Sequence, residues 1–162
     1  MKRPETVIGA ALVAVLFTLS PFAAGSAEGP LKPSPKDKCP VCGMFVAKYV
    51  DWIAGVTFKD GSSAIFDGAK DMFKYLFAIK KYAPARNRQD IEKIYVTDYY
   101  TLKMVDGTRA HYVIGSDVFG PMGRELIPFA READAREFLN DHNGKRILTF
   151  KEVTQGIVAS LD

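Results

Sequence analysis

The sequence has only two cysteines, two histidines and one tryptophan among its 162 residues, and no strong excess of charge. A formal net charge of +3 is too small to indicate binding to nucleic acid or to an anionic membrane surface. No glycine-rich loop of the phosphate-binding or dinucleotide-binding kind is present. The only obvious nucleophiles are the two thiols, so the sequence argues against a hydrolase and we expect a protein that is not an enzyme.

The N-terminus has the three parts of an export signal. Lys2 and Arg3 precede an apolar run over residues 7–19, and Gly25-Ser26-Ala27 supplies small residues for cleavage. We therefore predict a signal peptide at 1–27 and a proline-rich tether at 28–38, with the globular domain at 39–162. Export predicts a periplasmic or otherwise exported protein. It would be attached to the membrane only if the signal helix were retained, since the run is short for a spanning helix.

Both cysteines lie in one short stretch, Cys39-Pro-Val-Cys42-Gly-Met44. Its three sulfur atoms are soft donors, and soft donors select Cu(I); methionine in particular is a poor zinc ligand. The stretch is also compatible with a redox dithiol, or with a disulfide in an oxidising compartment. A thioredoxin-like pair should follow a strand and open a helix, whereas this one follows the proline-rich segment, which argues against redox chemistry.

Other candidate ligands are less distinctive. Met44 fits metal ligation or the start of a buried patch about equally well. Met122 lies between glycines in a loop without periodicity, where it could be a further soft ligand or a plug at the base of the loop. His111 shares the face of Val113 in a predicted strand and is more simply a half-buried histidine, and a helix C-terminus explains His142.

Periodicity predicts an α+β fold. Phe66, Asp71, Tyr75 and Leu76 match Phe129, Asp134, Phe138 and Leu139 at an offset of 63 residues, each at a passage from strand to helix. The repeat predicts two ββαβ units packed as one small domain, because a single unit buries too little core. Asp67 is the expected N-cap of the first helix, and Thr149 with Glu152 fits a capping box for a terminal helix. The predicted strands cover residues 53–58, 63–66, 91–97, 101–105, 110–114, 125–129 and 146–149. The predicted helices have their apolar faces within residues 69–77, 135–142 and 153–161.

The motif Cys39-Pro-Val-Cys-Gly-Met44 followed by Phe-Val resembles the signature of the NosL family, the accessory proteins of nitrous oxide reductase. Further similar stretches are Phe58-Lys-Asp-Gly61, Phe66-Asp-Gly68, Val96-Thr-Asp-Tyr99, Tyr112-Val-Ile-Gly-Ser116 and Gly120-Pro-Met-Gly123. The resemblance covers roughly residues 39–150. It implies an exported Cu(I)-binding chaperone with two ββαβ units, whose metal ligands are Cys42 and Met44, with Cys39 close by, and Met122.

The client that the resemblance implies is a periplasmic copper enzyme, and nitrous oxide reductase is the first candidate. The maturation machinery of that enzyme is a further implied partner. Typical members are lipoproteins anchored through a cysteine at the end of the signal, and this chain has no cysteine there. Two alternatives stay open at this point. One is a thiol–disulfide oxidoreductase of exported proteins that uses Cys39 and Cys42. The other is a structural module in which the same two residues form a permanent disulfide.

Overall fold

The computed structural model describes residues 30–162, so the predicted signal at 1–27 lies outside the described residues. In chain order, two strands, a pair of helices and two further strands are followed by two strands, one helix, one strand and a last helix. The elements are β1 (Ala54–Phe58), β2 (Ser63–Phe66), α1 (Ala69–Phe77), α2 (Ile79–Tyr82), β3 (Ile91–Thr97), β4 (Met104–Asp106), β5 (His111–Ile114), β6 (Ile127–Phe129), α3 (Glu132–Asp141), β7 (Arg146–Thr149) and α4 (Gln155–Ala159). Within this range, no helix has the length and apolar character needed to cross a bilayer.

Two antiparallel sheets share one connection pattern. The first has the order β2-β1-β3-β4 and the second the order β6-β5-β7. In each, a hairpin is followed by a helix and then by a strand that pairs with the first strand of the hairpin. Gly55 of β1 thus lies opposite both Ile65 and Tyr95, and Tyr112 of β5 lies opposite both Pro128 and Leu148. The prediction of two ββαβ units is confirmed, with β4 added to the edge of the first sheet.

The main core is shared by the two units. Val56, Phe66 and Phe73 from the first unit and Tyr112 and Leu148 from the second are almost fully buried in one cluster. The Tyr112 ring meets Phe73 edge-on, with centroids 5.2 Å apart. Its hydroxyl donates a hydrogen bond of 2.6 Å to the carbonyl of Gly107. Burial of large side chains between the units stabilises the pair as a single body, because neither sheet could cover this face alone.

A second apolar cluster lies under α3. It contains Val113, Ile127, Phe129, Ala135 and Phe138. Successive residues of a strand point to opposite faces, so Tyr112 enters the main core while Val113 faces α3. The second sheet is therefore covered on both faces, by the first unit and by α3.

The segment before β1 is also attached to the domain. Leu31 is buried in the main cluster, and a β-carbon on Gly55 would lie only 2.5 Å from its Cδ1. Lys38 and Phe45 form an isolated antiparallel bridge on either side of the cysteine motif. The domain boundary at residue 39 stays a prediction, and residues 30–38 contribute Leu31 to the core.

The C-terminal capping box has a different role from the one predicted. Thr149 and Glu152 do form a reciprocal box, with the Thr149 backbone N–H donating to the Glu152 carboxylate over 2.8 Å. It caps a single 3₁₀ turn at Phe150–Glu152, and α4 has its own N-cap, the Thr154 hydroxyl, which accepts from the backbone N–H of Ile157. Helix α4 begins later than predicted because the capping box of Thr149 and Glu152 caps the 3₁₀ turn that precedes the helix.

Candidate metal centre

A tight backbone loop brings the two cysteines together. The backbone N–H of Cys39 donates to the carbonyl of Met44 over 2.8 Å, and the N–H of Gly43 donates to the carbonyl of Cys39 over 2.9 Å. Gly43 has φ = +80°, a conformation that residues with a β-carbon rarely adopt. Backbone N–H groups of Val41 and Cys42 point at the sulfur of Cys39, and that of Met44 at the sulfur of Cys42. The loop therefore presents both sulfurs on one side, with donors that stabilise negative charge on them.

Two aspartates from the start of α1 complete the cluster. Asp67 precedes the helix and Asp71 lies in its first turn, and the carboxylates of both face the thiols of the cysteine loop. The thiol of Cys39 donates to Asp71 Oδ2 over 3.3 Å, and the thiol of Cys42 donates to Asp67 Oδ1 over 3.4 Å. One ligand atom from each of the four residues lies within 4.8 Å of all the others. The geometry is that of a compact site with two sulfur and two oxygen donors.

The cluster is largely removed from water. Cys39, Asp67 and Asp71 are each no more than 2% exposed, whereas Cys42 is half-buried and forms the open side. Asp71 Oδ1 is buried without a hydrogen bond, and the nearest cation is the Lys74 ammonium at 3.7 Å. Buried carboxylate oxygens are normally paired, and the partner of this oxygen is the ammonium of Lys74, whereas the other oxygen of Asp71 faces the thiol of Cys39.

Both thiols are difficult to ionise in the metal-free protein. Burial raises the pKa of Cys39 well above its usual range, and the Asp67 carboxylate raises it further. Burial also raises the pKa of Cys42 to about 11, and the hydrogen bond to a carboxylate adds to this effect. A redox dithiol requires the opposite shift, since the thiolate is the nucleophile. The raised pKa values therefore indicate thiols that stay protonated until a metal cation binds and displaces the protons.

Asp67 is not the N-cap of α1, and that prediction was wrong. Gly68 occupies the N-cap position, and its residue type offers no side chain to cap with. The side-chain carboxyl group of Glu125, from the second unit, accepts instead from the backbone N–H of Lys70 over 2.5 Å. Burial raises the pKa of Glu125 to about 8. Because Glu125 satisfies the helix N-terminus, Asp67 is free to face the thiol of Cys42.

Comparison with known proteins identifies the family of the chain. The family model for NosL matches residues 30–158, most of the chain. The chain belongs to the NosL family. The resemblance that the cysteine motif predicted is thereby confirmed.

Individual relatives of this NosL-family chain add detail. The copper-binding lipoprotein NosL of Stutzerimonas stutzeri is 28% identical over 130 residues, which are 75% of this chain and 64% of that protein. The chain thus spans less than two thirds of this curated relative. The crystal structure of the copper chaperone NosL from Shewanella denitrificans matches with a TM-score of 0.63 at 22% identity, over 78% of this chain and 96% of that one. At 22% identity, this match to a solved structure shows a shared fold and nothing more. The solution structure of apo-NosL from Achromobacter cycloclastes matches with a TM-score of 0.47 at 23% identity, over 65% and 87%.

The two methionines predicted as ligands lie in different settings in this NosL-family chain. Met44 is half-buried at the end of the cysteine loop, and its backbone contacts both cysteines. Met122 is 40% exposed in a loop closed by reciprocal backbone hydrogen bonds of 2.8 and 3.1 Å between Gly120 and Gly123. Lys70 of α1 donates from Nζ to the Met122 carbonyl over 2.8 Å, so the loop lies against the helix that supplies Asp71. Ligation by either thioether stays a prediction.

The histidines lie away from the cluster. His111 lies on the face of the second sheet that α3 covers, beside Glu132 and Arg136. His142 packs on Phe138 at the end of α3, and its Nδ1 lies 3.0 Å from a carboxylate oxygen of Asp117. Across residues 30–162, the only group of three or more cysteine, histidine or acidic side chains with metal-binding spacing is the one at the cysteine loop.

Proposed function

We propose that this protein carries Cu(I) on Cys39 and Cys42 and passes it to an exported copper enzyme. The observation that carries the proposal is the pair of adjacent free thiols, closely surrounded by backbone donors and carboxylates, in a domain of the NosL family. A curated relative is a copper-binding protein, which supports copper as the cargo. Soft thiolates favour the monovalent ion. The protein would act as a carrier and not as an enzyme.

Met44 and Met122 are the proposed thioether ligands. Met44 follows directly on the cysteine loop, and the carbonyl of Met122 is bound by Lys70, next in sequence to Asp71. A closing movement of the loop over residues 120–123 would add a thioether to the two thiolates. Two thiolates with one thioether at a time, from Met44 or Met122, would hold Cu(I) firmly while leaving a coordination position through which a client can begin exchange.

Unequal burial of the two thiols gives the transfer a direction. Cys39 is 2% exposed, while Cys42 is half-buried at the open side of the site. A thiolate, thioether or imidazole of the client would approach from the side of Cys42 and bind the ion while Cys39 still holds it. Cys42 would then leave first and recover a proton, and Cys39 would follow. Because the thiols have raised pKa values, reprotonation favours release.

Nitrous oxide reductase is the client that we propose, because the motif resemblance points to its accessory proteins. An exported location, with the signal at 1–27 removed or kept as an anchor, is part of the same proposal. It is supported by the lipoprotein character of the curated relative. The direct test mixes Cu(I)-loaded protein with copper-free nitrous oxide reductase, separates the two and measures copper in each.

The ligand set is tested by competition with a chromophoric Cu(I) chelator under anaerobic conditions. We expect Met122→Leu to weaken Cu(I) binding by about tenfold or more, equivalent to about 1.4 kcal/mol. Met72→Leu is the matched control, because Met72 is fully buried in the main core. Equal affinities for the two variants would remove Met122 from the ligand set.

The two alternative functions make different predictions. A thiol–disulfide oxidoreductase would reduce or oxidise a disulfide substrate with turnover, although the raised pKa values of both thiols are unfavourable for it. In a disulfide-stapled module, Cys39→Ser would lower the free energy of unfolding of the oxidised protein, and copper would have no effect. Stabilisation of the reduced protein by Cu(I) supports the carrier, since a ligand that binds only the folded state raises its stability.

A further inference from the structure

We propose that Lys70 positions Met122 for Cu(I) binding, by holding the backbone of the loop over residues 120–123 against helix α1. The inference rests on the proposed function, in which Met122 supplies a thioether. It goes further by naming the residue that fixes the place from which this thioether reaches the ion. Lys70 would not touch the copper ion itself, and it would act through the loop as a positioning residue.

Lys70 has an unusual environment for a lysine. Its side chain is only 1% exposed, although lysine is almost never fully buried without a partner. The ammonium donates to the carbonyl of Met122 over 2.8 Å and to the carbonyl of Leu161 over 3.2 Å, and it lies 3.6 Å from a carboxylate oxygen of Asp162. These oxygens replace the water that the ammonium has lost, so the buried charge holds the segments that supply them in place.

Lys70 binds the second unit at two points. Its backbone N–H donates to the side-chain carboxyl group of Glu125 over 2.5 Å, and its ammonium donates to the carbonyl of Met122. A β-carbon on Gly120 would lie 3.0 Å from Cγ of Glu125, so the Glu125 side chain packs against the first residue of the loop. One residue of α1 therefore holds both the loop and the side chain on which the loop rests.

The same turn of α1 also faces the thiols. Asp71 follows Lys70 directly, and neighbouring residues of a helix point about 100° apart. The carboxylate of Asp71 accepts from the thiol of Cys39, while the ammonium of Lys70 binds the carbonyl of Met122. A single helical turn thus fixes the loop that carries Met122 relative to the loop that carries the cysteines.

The contacts hold the backbone of the loop and leave the Met122 side chain 40% exposed. Gly120 and Gly123 close the loop with reciprocal backbone hydrogen bonds of 2.8 and 3.1 Å. Methionine is unbranched and flexible, so the thioether can swing towards the thiols about a backbone that stays in place. A ligand on a fixed backbone loses less conformational freedom on binding than a ligand on a mobile loop, which raises the affinity.

The second unit shows that the fold itself does not require this lysine. At the offset of 63 residues, Lys70 corresponds to Ala133 in helix α3. The second ββαβ unit therefore forms with alanine at the equivalent position. The contact between a buried ammonium and the loop of Met122 is specific to the unit that supplies the thiols.

The test is a double-mutant cycle on Cu(I) affinity, measured anaerobically against a chromophoric chelator for Lys70→Leu, Met122→Leu and the double variant. Lys70→Leu should weaken binding by up to as much as Met122→Leu does, about tenfold, and should have no further effect in the double variant. Lys74→Leu is the matched control, because Lys74 binds Asp162 one turn further along α1. Any effect of Lys74→Leu should be the same with and without Met122→Leu.

Amide hydrogen exchange of the metal-free protein is a second measurement. Loss of a charged donor should make the N–H groups of Gly120 and Gly123 exchange on the order of tenfold faster in Lys70→Leu. Lys74→Leu should leave both rates unchanged. If Lys70→Leu does not fold, Lys70→Gln takes its place in both measurements, because glutamine offers the buried carbonyls a polar group but is shorter and uncharged.

The outcomes separate this proposal from the proposed function. A loss of affinity on Lys70→Leu that is the same with and without Met122→Leu, or unchanged exchange at both glycines, would overturn the proposal and leave the Cu(I) carrier intact. Wild-type affinity in Met122→Leu would overturn the proposal together with Met122 as a ligand, while thiolate binding of Cu(I) would stand. Failure of the reduced wild-type protein to compete with the chelator would refute the proposed function, and this proposal with it.

Discussion

Glu125 should make the stability of this protein depend on pH in a direction unusual for a carboxylate. Its side chain is 3% exposed and accepts hydrogen bonds from the backbone N–H groups of Lys70, over 2.5 Å, and Leu126, over 2.8 Å. Burial raises its pKa from the ordinary 4.5 to about 8. The folded protein therefore holds a proton that the unfolded chain has already released at neutral pH.

The sign and size of the effect follow from proton linkage. Below about pH 4.5, Glu125 is protonated in both the folded and the unfolded state, so it does not lower the free energy of unfolding. Between that pH and about pH 8, the folded state keeps a proton that the unfolded state releases. The free energy of unfolding should consequently fall as pH rises through this window. A pKa difference between 4.5 and about 8 corresponds to about 5 kcal/mol.

Urea denaturation of the wild type and of Glu125→Gln at about pH 5 and about pH 9 measures this contribution. Glutamine keeps the shape of the protonated acid and does not titrate, so the variant should gain several kcal/mol on the wild type between the two pH values. Glu92→Gln is the control, because Glu92 is exposed on β3. A constant difference between wild type and Glu125→Gln would show that Glu125 is ionised in the folded protein, which would contradict its raised pKa.

Further predictions concern glycines and protons. Gly156→Ala in α4 should raise the free energy of unfolding by about 0.5–1 kcal/mol, because the added β-carbon meets nothing closer than 4.0 Å. Gly68→Ala should lower the free energy of unfolding, since the added β-carbon would lie 2.3 Å from Glu125 Oε2. Urea denaturation of both variants checks these predictions, and equal effects of the two substitutions would contradict the packing described. Cu(I) affinity should rise by up to about a hundredfold per pH unit near neutrality, because binding displaces the protons of Cys39 and Cys42. Chelator competition at several pH values checks this, and a flat profile would contradict the raised pKa values.

Local pattern was sufficient to predict much of the fold. The strands Ser63–Phe66, Ile91–Thr97 and Arg146–Thr149 have the bounds that alternation and branched residues predicted. The repeat at an offset of 63 residues predicted two like units, and the sheet orders confirm it. The predicted strand at 101–105 is shorter and shifted, because Leu102 takes a positive φ of 55° and the pairing begins at Met104.

The acidic half of the site could not be predicted, because it depends on contacts between distant segments. Asp67 had the position of a helix cap, and only the folded chain shows that Glu125 takes over that task. Asp71 belongs to the repeat, and nothing in the sequence marks it as a partner of Cys39. The available signal was the difference between the repeats, since Asp134 has an arginine three residues before it and Asp71 has a glycine.

The thiols were the part of the site that residue type and spacing alone could indicate, and the proposed Cu(I) binding depends on them. The decisive measurement is the Cu(I) affinity of the reduced protein compared with that of protein oxidised to a Cys39–Cys42 disulfide, both titrated anaerobically against a chromophoric chelator. We expect tight binding by the reduced form, and we expect that the oxidised form does not compete with the chelator. Equally tight binding by both forms, or no competition by the reduced form, would contradict a thiolate Cu(I) site.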